Sequence, residues 1–146
     1  MKRTLPKRSN LFLMEMILAI LFFSLASAVC MQLFVKARTL SQKTSQQNHA
    51  MSIAKSAASI FETGDGTLES LLSEYPDSLA EGTKLTIYYD EKWEACSSKE
   101  CQYRMTLKLD QQENGLTLAD IQVEDSHHTE LFDITASCYQ SGKVGD

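Results

Sequence analysis

Between Ser9 and Thr63 the chain contains no glycine and no proline, the residues that most effectively end or bend a helix. A gap of that length excludes a fold of many short elements there and leaves one continuous helix as the simplest reading. Charge is lacking over part of the same stretch: Glu15 is the only charged side chain from Leu11 to Val35. Basic charge is scarce further on, where Lys36 onward carries ten basic and eighteen acidic side chains, against a formal net charge of −5 for the whole chain. So acidic a surface argues against nucleic acid as a partner. Also missing are a glycine-rich phosphate loop and any pair of carboxylates at a catalytic spacing.

What is present begins with a basic leader, residues 1–10, holding Lys2, Arg3, Lys7 and Arg8. Residues 11–35 follow as an apolar run whose 25 positions, at about 1.5 Å each, suffice to cross a hydrocarbon layer of roughly 30 Å. The expected membrane helix would have its N-terminus cytoplasmic and its C-terminal domain outside, because basic residues are somewhat denser before the run than after it. A second reading is a secretory signal cleaved after Ala28, with Ala26-Ser27-Ala28 as the processing site. Against it stand Glu15, inside the would-be apolar core of the signal, and the continuation of that core through Val29, Met31, Leu33, Phe34 and Val35. Val29 is too bulky for Cys30 to be a lipid-modified terminus, so Cys30 reads as an apolar filler.

Residues 36–63 predict an amphipathic continuation of the helix. Ala37, Leu40, Thr44, Gln47, Met51, Ala54, Ala58 and Phe61 advance by steps of three and four, with Ser41–His49 as a polar neck. Ser9 or Asn10 would cap its start and Gly64-Asp65-Gly66 its end. Thr67–Tyr75 reads as a short helix closed by Pro76. The apolar period then changes from three or four to two: Leu85, Ile87 and Tyr89; Tyr103, Met105, Leu107 and Leu109; Phe132, Ile134, Ala136 and Cys138. These predict half-buried antiparallel strands. Leu116 and Leu118 lie on one parity and Ala119, Ile121 and Val123 on the other, which predicts a bulge or a strand buried on both faces. Asn114-Gly115 and Asp125–Thr129 supply turns. The fold class expected is α+β: a long N-terminal helix packed by its distal half on a small antiparallel sheet, residues 64–146.

A basic leader, an apolar helix with glutamate as its fifth residue ("LFLME"), an amphipathic continuation and a small outward sheet together resemble the type IV pilins and type II secretion pseudopilins. The resemblance spans the architecture, and its specific motif lies in Asn10–Val35. It implies a structural subunit with other pilin-like subunits and a membrane assembly platform as partners. It also implies a prepilin peptidase cutting between Asn10 and Leu11, methylation of the new terminus, and Glu15 meeting the terminal amine of a neighbouring subunit. Asn10 stands where that family usually has glycine. The helix lacks the proline or glycine bend common in the family, and no C-terminal acidic cluster resembles a calcium loop, which points to a minor or specialised member.

Cys96, Cys101 and Cys138 would face a compartment that permits disulfides. Cys96 with Cys101 closes a local loop, and Cys101 with Cys138 is the alternative if their strands are neighbours. His127 and His128 match no zinc spacing. Asp125-Ser126-His127 names the residue types of a hydrolytic triad, but consecutive side chains do not converge on one atom. No enzyme, cofactor or metal is expected. Trp93, Tyr88, Tyr89 and Tyr103 read as packing or as an exposed contact patch. Beside the pilin-like subunit, two functions remain open on sequence: a single-pass anchored binding module, and the secreted product of cleavage after Ala28.

Overall fold

A computed structural model describes residues 7–139, so the leader up to Pro6 and the residues after Tyr139 lie outside the description. The chain divides into two compact units, Met1–Lys43 and Thr44–Asp146.

Helix α1 runs unbroken over Lys7–Thr63. It already includes Ser9 and Asn10, so neither serves as the cap that its residue type suggested. Gly64 and Gly66 do end the helix: the Gly64 amide donates to the Ile60 carbonyl, and Gly66 takes a φ of 64°. In the first unit no described side chain from Asn10 to Lys43 is buried.

In the second unit, α2 (Leu68–Glu74) is followed by strands β1 (Leu79–Glu81), β2 (Lys84–Tyr89), β3 (Tyr103–Gln111), β4 (Leu116–Asp125) and β5 (Glu130–Tyr139). The strands form one antiparallel meander in chain order. The fold is thus α+β, a long helix with a small antiparallel sheet, as the change of period required. β1 is the strand that the sequence pattern does not announce: its three residues are all exposed and show no alternation.

One face of the sheet is covered. Alternation puts Leu85, Ile87 and Tyr89, then Tyr103, Met105 and Leu107, then Ala119, Ile121 and Val123 inward, where they join Leu71 of α2 and the distal part of α1. The helix contributes Ala50, Ala54, Ala57, Ala58 and Phe61. Four alanines keep that helical face low, so the sheet's larger side chains fill the layer, each full burial contributing about 1.5–3 kcal/mol. The buried stripe is offset from the expected one: Ala50 and Ala57 lie on it, Gln47 is exposed and Met51 only half-buried.

β4 is continuous, with Thr117, Ala119, Ile121 and Val123 inward and Leu116 and Leu118 half-exposed on the other face. The parity break therefore marks neither a bulge nor a doubly buried strand. The irregularity falls instead between Val123 and Glu124, where the pairing passes from Phe132 to Glu130 and leaves Leu131 as the extra residue of β5.

Candidate functional site

In the first unit, one helix is long and apolar enough to cross a membrane, with a best-window mean hydropathy of 2.3 and none of that window buried. Leu11 to Val35 spans about 36 Å of axis. Polar groups along it are partly satisfied locally: the Ser24 hydroxyl donates to the Ile20 carbonyl at 2.8 Å. Glu15 differs. It sits five residues, about 7.5 Å, beyond Asn10, and no hydrogen bond or ion pair reaches it from any described side chain. Its helical neighbours at three and four residues are Phe12, Leu18, Leu11 and Ala19, all apolar. A carboxylate so placed costs on the order of 2.5–3.5 kcal/mol at a bilayer centre, less towards the interface, and is relieved by a cation on another helix.

In the second unit the cysteines are placed by the register, and all four of the chain are unbonded thiols. Cys138 lies opposite Thr117 in β4, and Thr117 lies opposite Gln111 at the far end of β3. Cys101 precedes the near end of β3, ten residues and about 33 Å of strand from Gln111. The structure does not bring Cys101 and Cys138 together. Cys96 and Cys101 are near neighbours along the β2–β3 connection. There the Cys96 amide donates to the Tyr88 carbonyl, the Gln102 amide to the Tyr89 carbonyl, and the Cys101 thiol to the Ser98 carbonyl. Burial pushes the Cys96 thiol up, and Asp90, Cys101 and Glu100 add to the effect, so it is a poor nucleophile at neutral pH.

The aromatic residues behave as packing. Trp93, at φ 65°, lies flat on Tyr103 with centroids 3.9 Å apart, and His49 of α1 stacks 5.5 Å from the indole. Both faces of the indole are therefore occupied, while Gln46 donates to the Tyr103 hydroxyl at 3.1 Å. Burial, with a smaller contribution from Tyr75, pushes the Tyr89 phenol far up and holds it neutral. Gln46 and His49, four and one residues before the first buried alanine, were not singled out from sequence. Their continuation of the alanine stripe is the signal that was there to read.

On the opposite face of the sheet, Arg104 pairs with Glu124 at 3.0 Å across β3 and β4. His128 Nδ1 lies 2.6 Å from Arg104 Nη2 and 3.4 Å from Glu124 Oε2, so the ring adjoins both members of the pair. Arg104 and His128 border a shallow recess of roughly 330 Å³ that also includes Cys101 and Ser126. Asp125 does not act with Ser126 and His127 as a relay. Its carboxylate accepts the backbone amides of His127 and Thr129, both at 2.8 Å, and so builds the turn. Among the described residues no three His, Cys, Asp or Glu side chains cluster as metal ligands would. The arrangement of this unit can brace a loop and a turn. No family model, no curated protein and no solved structure matches this chain.

Proposed function

We propose that this chain is a structural, pilin-like subunit of a type IV pilus or type II secretion-like machine, held in the membrane by Leu11–Val35 and assembled through that helix. The observation that supports it best is Glu15: one carboxylate at the fifth position of an unbroken apolar helix, given no partner by its own described side chains. An amine carried by an adjacent helix answers both its charge and its depth. The N-terminus is cytoplasmic and residues 64–146 are outside. The partners are other pilin-like subunits and a membrane platform, with a prepilin peptidase acting at Asn10–Leu11 to create the amine.

The second reading, a single-pass anchored binding module, draws on Asn10 standing where the pilin pattern has glycine: without cleavage, Leu11 has no free amine. Intact mass and N-terminal sequencing of protein from its native membrane separate the readings. A start at Leu11 supports the subunit, an intact Met1 the anchored module, and a start at Val29 a secreted protein. A paired assembly assay checks the role of Glu15. Glu15→Ala should lower recovery of crosslinked multimers at least tenfold while membrane insertion is kept, and unchanged multimers would remove Glu15 from assembly.

A further inference from the structure

The helix carries charge of one sign for an unusual distance beyond the apolar run. Lys36, Arg38 and Lys43 are its first charged residues after Glu15, and no aspartate or glutamate occurs from Met16 to Phe61. All three side chains are exposed, and no hydrogen bond or ion pair reaches any of them from the described residues. At 100° and about 1.5 Å per residue, Lys36 and Lys43 share one side of the helix and Arg38 takes the other, all within about 11 Å of axis. They form a collar rather than a stripe. That depth matches the distance over which a charged bilayer surface is felt at physiological salt, about 8 Å, plus the reach of the side chains.

We propose that this collar binds anionic phospholipid headgroups at the end of the span remote from the leader, fixing how far the helix emerges. The occupant is argued from position and sign: the cations begin at the residue after Val35, where hydrocarbon gives way to headgroups, and no acid between Met16 and Phe61 competes with the lipid phosphate. Lys55, the next cation, lies about 18 Å beyond Lys43 and falls outside that layer. The proposal rests on the membrane-spanning reading of Leu11–Val35 and is independent of assembly into a filament.

The test uses the full chain in vesicles of phosphatidylcholine alone or mixed with phosphatidylglycerol. Amine acetylation at each lysine is followed by mass spectrometry, with Lys55 and Lys84, both exposed, as internal references. Expected is a slowing of about fivefold at Lys36 and Lys43 in the anionic vesicles, the factor for one cation at such a surface. It should be abolished near 1 M salt, where screening falls to about 3 Å, and leave Lys55 and Lys84 unchanged. Arg38→Gln should reduce the slowing at both lysines. Equal rates in the two lipids overturn the proposal. So does a slowing that depends on protein concentration in phosphatidylcholine alone, which would place the cations on the acidic surface of another copy. Amide hydrogen exchange separates this from the underlying reading. Protection of Leu11–Val35 without lipid dependence at the lysines defeats the collar alone, whereas no protection defeats the span and the collar together.

Discussion

Phe61 and Phe34 lie on the same helix and make opposite predictions. The Phe61 ring is wholly buried, whereas Phe34 is 70% exposed. The tip of the Phe61 ring also lies 3.8 Å from where a β-carbon on Gly66 would stand, so the turn after the helix helps to seal its pocket. Truncating a phenylalanine in such a site removes its transfer free energy and leaves a cavity, about 3–5 kcal/mol together. Neighbouring alanines cannot swing in to fill the space, which places Phe61→Ala in the upper half of that range. A unit of this size has roughly 5–15 kcal/mol in total. With a urea dependence of about 1–3 kcal/mol per molar, the midpoint should fall by roughly 2 M. Trp93, the sole tryptophan, is stacked inside the same unit and reports its unfolding by fluorescence. The full chain in detergent should show this loss for Phe61→Ala and a midpoint within experimental error of the parent for Phe34→Ala. A loss below about 1 kcal/mol at Phe61, or equal losses at both positions, would refute the packing of the distal helix on the sheet.

The long helix, the switch to two-residue periodicity and the inward faces of β2, β3 and β5 were legible, because each follows from a repeat that recurs along its element. What was not legible has specific causes. Alanine fits either a buried or an exposed position, so the alanine-rich distal helix accepted two stripes; one put Gln47 and Met51 inward, and the structure chose Ala50 and Ala57. Leu116 and Leu118 suggested an inward parity, yet half-exposed leucines are common on folded surfaces, and Thr117 took the buried place at 2% exposure. The extra residue Leu131 and the stack of His49 on Trp93 depend on register and on a contact across more than forty residues, which no local pattern encodes. Glu15 was visible because it breaks a pattern. The partner proposed for it would belong to another molecule, which no single chain displays.

Three further outcomes follow from the second unit. Gly66→Ala should cost about 1–2 kcal/mol from its positive φ alone, with more from a β-carbon only 3.0 Å from both Cβ and Sγ of Cys138; adding Cys138→Ala should recover only the Sγ share of the crowding in denaturant unfolding and leave the Cβ share and the φ part. Arg104→Ala should change stability by less than about 1 kcal/mol, since its pair with Glu124 is partly exposed, and a larger loss in the same assay would show a network with His128. Asp125 carries the acid dependence of the turn. Slight burial raises its pKa, but the amides of Thr129 and His127, the Thr129 hydroxyl and the His127 charge outweigh burial and leave it lowered. A lowered folded value means the unfolded state binds the proton more readily, so the stabilisation is complete above the ordinary aspartate value, about 3.9, and is lost as pH falls through the folded value. Asp125→Ala should therefore cost about 1 kcal/mol at neutral pH, for the two turn amides left to water. The gap between variant and parent should close in acid, as the parent's carboxylate takes up its proton and lets go of the same amides. A gap that stays constant from neutral to strongly acidic pH would mean that the carboxylate does not hold the turn, and that His128, at φ 61°, is set by the backbone alone.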